Sequence, residues 1–203
     1  MLAGSLIVAG CGAEDPGAEP STTSASSEAP AAEDPETPAA EEWVEVTDPG
    51  TGVTFALPGE AQQNSRPAAA DGSTPATTMY QFAMADRFTM AAAFSEAEGA
   101  EYSAAGLRQM SAAVLTQLEG AGAQDVELSG ERESTVDGRP VYDYELAFTA
   151  TNGKQNVWFV RAVGDGARSV MLQSIGFTEV GDDAARTEIG EYHERFVATL
   201  AFP

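Results

Sequence analysis

In the second half of the chain, runs that favour extended structure are separated by short glycine-containing turns. Strand candidates lie at 125–136, 140–150, 155–163 and 168–177, separated by Asp137-Gly138, Asn152-Gly153 and Asp165-Gly166. These dipeptides tolerate positive φ, so each favours a tight hairpin turn. The pattern therefore predicts a four-strand antiparallel meander.

The second strand of this meander divides its side chains between two faces. One face carries Tyr142, Tyr144, Leu146 and Phe148, and the other carries Asp143 and Glu145. An antiparallel sheet commonly packs one face on the core and exposes the other. We expect a core face and a wetter face.

Shorter extended segments precede the meander. Residues 43–46 and 53–57 are strand candidates, the second of which stops at Pro58, and 77–84 and 88–94 predict a hairpin. The intervening residues 59–76 are polar and contain proline and glycine, so we expect an 18-residue connection.

Two segments instead show helical spacing. Leu107, Met110, Val114 and Leu118 form an apolar stripe within 103–119, with Gly120 as the expected stop. Asp182-Asp183 predicts the start of a second helix, whose stripe is Ile189, Tyr192, Phe196 and Leu200. Strand runs broken by isolated helices predict an α+β fold, with an antiparallel sheet packed with two amphipathic helices.

Residues 12–42 differ in composition from everything after them. They contain five prolines, no aromatic residue, and no Val, Ile, Leu or Met. Such a segment buries too little apolar area to offset the entropy of ordering. We predict a disordered acidic tether, with a single globular domain at 43–203.

The first eleven residues are small and apolar and end at the only cysteine of the chain. The run Val8-Ala9-Gly10-Cys11 resembles the lipobox of bacterial lipoproteins. The resemblance implies a signal peptide at 1–10, cleavage before Cys11, and a lipid anchor in which the thiol receives a diacylglyceryl group with acyl chains such as palmitate. Secretory signals have a basic start and run ~15–30 residues. No Lys or Arg precedes Cys11, so we expect the natural start to lie upstream.

The chain is strongly acidic, with 32 Asp and Glu against 10 Lys and Arg, for a net charge of −22. Residues 43–203 contain all ten basic side chains against 23 acidic ones, a net charge of −13. Nucleic-acid binding requires a basic patch that displaces counterions from phosphates. We therefore expect no nucleic-acid partner and no attachment to anionic headgroups through a basic face.

The order of elements resembles the PsbP-like superfamily, including actinobacterial envelope lipoproteins of the LpqN type. The resemblance covers roughly 43–203 and rests on residues 52–58, on Thr135-Val136-Asp137-Gly138-Arg139-Pro140, and on the final amphipathic helix. It implies binding or assembly assistance rather than catalysis. One Lys against nine Arg also suits GC-rich coding, as in actinobacteria.

Catalytic and metal motifs are weak in this sequence. His193, the single histidine, lies between acidic and basic neighbours on the last helix, where we expect it to be exposed. No Gly-x-Ser-x-Gly elbow accompanies it. Glu96, Glu98 and Glu101 are interpreted as capping and solubility charges, so we predict no metal and no cofactor, with a weak calcium site left open.

We therefore predict a non-enzymatic lipoprotein, anchored on the extracytoplasmic face of the cell membrane, that binds an envelope protein or a small ligand. One alternative is a carrier of an apolar molecule, with a cavity lined by Tyr142, Tyr144, Trp158 and Met110. A second is an envelope hydrolase that uses Asp143 and Glu145, against which we set a solvated pair beside Arg139 or Arg161.

Overall fold

A computed structural model describes residues 42–70, 75–84, 87–96, 101–178 and 182–203. The predicted signal peptide, Cys11 and the tether up to residue 41 lie outside these residues, as does Glu98. Within them, five strands precede the first helix and four follow it. The strands are β1 Val44–Thr47, β2 Thr54–Leu57, β3 Gln62–Arg66, β4 Ala76–Met84, β5 Phe88–Glu96, β6 Gln124–Val136, β7 Arg139–Thr149, β8 Gln155–Asp165 and β9 Arg168–Thr178. The helices are α1 Ala104–Gly120, between β5 and β6, and α2 Asp183–Ala198, after β9.

Seven strands form one antiparallel sheet in the order β3-β4-β5-β9-β8-β7-β6. The meander predicted from the hairpin turns is confirmed as β6 to β9. Strand β9 also pairs with β5, which joins the meander to the N-terminal strands. The β1–β2 hairpin pairs separately, and one bridge connects Thr54 to Ala201.

The turn residues behave as the sequence predicts. Asp137 and Gly138 both take positive φ, at 51° and 76°, between β6 and β7. In the next two turns Gly153 and Gly166 take positive φ, at 78° and 63°. A residue with a Cβ adopts this region at a cost, which explains why each turn has a glycine.

The prediction of an uninterrupted connection at 59–76 is wrong, because β3 lies within it. Residues 62–66 read Gln-Gln-Asn-Ser-Arg, and all five are exposed. This strand has no alternating apolar residues by which the sequence could predict it. It forms because its backbone pairs with β4, not because it buries a side-chain stripe.

Both helix starts follow the capping rules. Ser103 accepts a hydrogen bond from the Gly106 amide at 3.3 Å, and Asp182 accepts one from the Ala185 amide at 3.0 Å. Helix α1 ends at Gly120, the predicted stop, although Gly120 is not the left-handed residue. The left-handed residue is Gly122, with φ 88°.

The two helices lie on opposite faces of the large sheet. Helix α1 packs on β6, β7 and β8, above the row that contains Tyr142, and we name this side the α1 face. Helix α2 packs on β8, β9 and β2, above the row that contains Asp143, and we name this side the α2 face. The β1–β2 hairpin also lies on the α2 face, where Phe55 contacts Tyr80 and Phe94.

The principal core lies on the α2 face. Its fully buried members include Phe55, Met90, Leu172 and Phe196. The α1 face buries a second apolar layer that includes Tyr142, Tyr144 and Leu146. The predicted wetter side of β7 is therefore wrong, because both faces of this strand are covered.

Candidate functional site

Helix α1 covers only part of the α1 face. Among the described residues, α1 packs on β6, β7 and β8. Residues that pair directly across antiparallel strands share a face, so the register identifies the positions beyond α1. On β3, β4, β5 and β9 they are Gln62, Asn64, Arg66, Thr77, Met79, Gln81, Ala83, Thr89, Ala91, Ala93, Ser95, Ser169, Met171, Gln173, Ile175 and Phe177. We name this set the carboxylate-free face.

This face departs from the composition of the chain. Residues 43–203 contain 23 acidic side chains, yet none of the sixteen positions is acidic and Arg66 is their single charge. Most of the positions are half-buried between their neighbours, and Phe177 is 48% exposed. The face therefore combines small, polar and apolar groups with little electrostatic repulsion toward an incoming surface.

The two outer strands of the sheet also differ. Strand β6 shifts register between Gln124 and Glu127 and between Ser129 and Arg132, and Asp125 takes a positive φ of 52°. Strand β3 pairs with β4 in an unbroken register. Bulges and charged side chains protect sheet edges from further pairing. Edge β6 has both kinds of protection, whereas β3 has Arg66 as its single charge.

His193 is buried rather than exposed, which corrects the sequence prediction. It is 9% exposed, and its Nδ1 lies 3.1 Å from Oγ of Ser174, which is fully buried on β9. Burial is the main cause that lowers the pKa of His193 to about 4, and the nearby Arg161 guanidinium acts in the same direction. The imidazole is therefore neutral near pH 7, and it packs against the Phe159 ring.

Asp143 is bound by two arginines on the α2 face. Arg161 Nε donates to Asp143 Oδ1 at 2.6 Å, and Arg132 donates to Oδ2 at 2.9 Å. Burial alone raises the pKa of Asp143, but the hydrogen bonds from Arg161 and Arg132 outweigh it, so the pKa lies below its ordinary value. The carboxylate is held ionised and has no free proton to transfer.

Glu145 is likewise engaged, because Arg186 of α2 lies 2.5 Å from its Oε1. The side chains of Asp143 and Glu145 are 16% and 13% exposed, so the expected solvated pair is wrong. Of the two arginines named with it, Arg161 does bind Asp143, whereas Arg139 binds Asp165 at 2.9 Å.

This cluster has the residue types of a hydrolytic site but not the arrangement. A triad needs a nucleophile that substrate reaches and a carboxylate that orients the imidazole. Ser174 has no exposed surface, and the Asp143 carboxylate faces Arg161 and Arg132. These side chains form a closed polar network that joins β6, β7, β8, β9 and α2.

Two cavities lie beside α2, with volumes of about 410 and 300 Å³. Their linings share Asp183 and Arg186, and the larger one also includes Phe159 and Glu191. Neither cavity is lined by the residues predicted for an apolar carrier: Tyr142, Tyr144 and Trp158 are buried in the sheet, and Met110 is half-buried on α1 itself.

The described residues contain no group of three or more His, Cys, Asp or Glu placed to hold a metal ion. In the same part of the chain, every helix is too short or too polar to cross a bilayer.

Comparisons with known proteins establish the fold. No family model matches the chain, and no curated protein matches it. The solution structure of cyanobacterial PsbP (CyanoP) from Synechocystis aligns with a TM-score of 0.54 at 10% identity, covering 85% of this chain and 99% of that one. The fold is α+β and PsbP-like, as the sequence predicts.

Two further structures align less closely. LpqN of Mycobacterium tuberculosis, described as involved in cell envelope biogenesis, has a TM-score of 0.45 at 20% identity, covering 80% of this chain and 91% of that one. The Saccharomyces cerevisiae Ran-binding protein Mog1p has a TM-score of 0.49 at 13% identity, covering 80% and 96%.

Proposed function

We propose that this protein is a non-enzymatic envelope lipoprotein, anchored through Cys11, whose domain binds another protein through the carboxylate-free face. The observation that carries the proposal is the absence of acidic side chains from sixteen neighbouring positions in a domain with a net charge of −13. An even distribution of 23 acids over residues 43–203 would place about two of them on sixteen positions.

The dimensions of the face favour a protein partner over a small molecule. Four strands at about 4.8 Å spacing, each of up to nine or so residues at about 3.3 Å, cover roughly 14 by 30 Å. That is on the order of 400 Å² on one partner, which is typical of weak or transient complexes. The face is also an open sheet surface rather than one of the two cavities beside α2.

Binding without catalysis agrees with the closed polar network. Ser174, His193 and Asp143 are each occupied by a neighbouring side chain, and the pKa of His193 is far below neutral. A general base acts best with a pKa near the working pH.

Site-specific photo-crosslinking in the cells that make the protein tests the proposal. A photoreactive phenylalanine replaces Gln81, at the middle of the carboxylate-free face, and in a matched control it replaces Glu119 at the exposed end of α1. We expect one discrete adduct from position 81 and none from position 119.

A charge substitution shows whether the adduct depends on the face. Gln173→Glu adds one carboxylate in the same cross-strand row as position 81, with Ala91 between them, without changing side-chain size. We expect it to lower the adduct yield at least tenfold. Gln109→Glu, on the exposed side of α1, is the control and leaves the yield unchanged. Equal yields from positions 81 and 119, or no effect of Gln173→Glu, would contradict the proposal.

A further inference from the structure

Strand β3 forms one border of the carboxylate-free face and is the less protected of the two sheet edges. Its five residues are all exposed, and its outer side has no strand neighbour among the described residues. The outward backbone groups of an edge strand are free to pair with another extended chain. The opposite edge, β6, is bulged twice and carries Asp125, Glu127, Glu131, Arg132 and Glu133.

From this asymmetry we propose that β3 binds an extended segment of the partner protein as an eighth strand of the sheet. The inference rests on the proposed function and specifies how the partner binds. Backbone hydrogen bonds to β3 would supply affinity, and the side chains that alternate toward the carboxylate-free face would supply specificity.

The chemistry of β3 limits what this segment is. Gln62, Asn64 and Arg66 point to the carboxylate-free face, in register with Gln81, Met79 and Thr77 of β4. The matching segment is five or more residues long and has no proline at paired positions. It carries apolar or uncharged side chains opposite Gln62 and Asn64 and a carboxylate opposite Arg66.

A second copy of this chain fits less well than a different protein. Two copies would bring together two domains that each have a net charge of −13, and this repulsion opposes association. The single charge of β3 is positive, so a segment that carries a carboxylate is attracted to it at close range. The occupant is therefore a segment from another protein.

Crosslinking at the edge tests this inference directly. A photoreactive phenylalanine replaces Gln63 in β3, and in the matched control it replaces Ser134 in β6, which is also exposed. Mass spectrometry of the adduct then identifies the crosslinked segment of the partner. A synthetic peptide of that segment is added to the full chain, and backbone amide exchange is measured.

We expect an adduct at position 63, none at position 134, and at least tenfold slower amide exchange in β3 with peptide bound. Asn64→Asp adds a carboxylate to the edge with almost no change in shape, and we expect it to weaken peptide binding about tenfold. Asn152→Asp, in the exposed β7–β8 turn, is the control and leaves binding unchanged.

The results separate the inference from the proposed function. An adduct at position 81 without one at position 63 overturns the eighth strand and keeps a partner on the face. A peptide that binds without slowing amide exchange in β3 also overturns the eighth strand and keeps a partner on the face. Adducts at neither position overturn both proposals. An adduct that contains a second copy of this chain overturns the choice of occupant.

Discussion

Single residues in the closed polar network illustrate how tertiary contacts change side-chain chemistry. His193 projects from an α2 sequence rich in charge, yet it lies against Ser174 and Phe159, with Arg161 and Asp143 nearby. Because the imidazole is buried, its neutral form is favoured. The network thus links α2 to the sheet through neutral and paired groups.

Because His193 is the only histidine of the chain, its contribution to the acid sensitivity of folding can be measured separately. Its pKa of about 4 in the folded chain lies below the ordinary 6.5, so the unfolded chain binds a proton that the folded chain does not. Stability therefore falls as the pH drops from about 6.5 to about 4, by up to about 3 kcal/mol. Denaturant unfolding of the protein and of His193→Gln at several pH values checks this.

The variant keeps a polar group within reach of Ser174 but has no proton to gain. We expect its stability curve to be flatter than that of the unmodified protein across this window, since the carboxylates titrate in both. Parallel curves would contradict the assignment of this acid sensitivity to His193.

The ion pairs of Asp143 and Asp165 allow a matched comparison of burial. Asp143 and Arg161 are 16% and 18% exposed, whereas Asp165 and Arg139 are 36% and 22% exposed. Removing one partner from a buried pair leaves an uncompensated charge. We expect Asp143→Asn to lower the free energy of unfolding by about 2–3 kcal/mol and Asp165→Asn by less than about 1 kcal/mol.

The same Asp143→Asn variant separates binding from hydrolysis. A hydrolase that used this carboxylate would lose its activity. Binding through the carboxylate-free face should be unaffected, because that face lies on the opposite side of the sheet from Asp143. At temperatures where the variant remains folded, we expect its crosslinking from position 81 to match that of the unmodified protein.

At the scale of elements, the contact between β9 and α2 depends on a residue without a side chain. A Cβ on Gly176 would lie 2.1 Å from Cδ1 and 2.8 Å from Cγ1 of Ile189. Overpacking of this kind in a buried contact costs about 1–3 kcal/mol. We expect Gly176→Ala to lower the midpoint of denaturant unfolding accordingly.

A second substitution shows whether Ile189 is the cause. Ile189→Val removes Cδ1, so in the Gly176→Ala background it should cost less than it does alone, with a coupling of at least about 0.5 kcal/mol. Gly190→Ala is the control on α2, because its Cβ would have ordinary contacts at 3.5 Å with Phe159. That change should stabilise the helix by about 0.5–1 kcal/mol. Additive costs at positions 176 and 189 would be inconsistent with the proposed clash.

Elements with a strong local signal could be predicted, and those that depend on neighbours could not. Strands β6 to β9 are separated by glycine-containing turns, and both helices have capping residues at their starts. Strand β3 has no apolar stripe, so only its pairing with β4 defines it. The carboxylate-free face had a usable signal, since alternate positions in 77–95 and 169–177 lack acids. Which of these positions share one surface depends on the pairing of β5 with β9.

At the scale of the whole molecule, anchoring by Cys11 remains a prediction from the lipobox resemblance. Cys11→Ser removes the only thiol of the chain and with it the proposed lipid attachment. We expect the protein to move from the membrane fraction to the soluble fraction when the cells that make it are fractionated. Labelling with a radioactive fatty acid should be lost in parallel. Unchanged membrane association with no labelling in either form would contradict anchoring by Cys11.

The sequence by itself determined the α+β class, the meander and the overall acidity, because hydrophobic period, turn residues and charge are local or additive properties. Only the tertiary structure decided that His193 is buried, that β7 is covered on both faces, and that β3 is an open edge. These features depend on which strands become neighbours and where α1 and α2 pack. Strand pairing brings together residues far apart in the chain, such as Met90 with Ser174, and no local pattern encodes that contact.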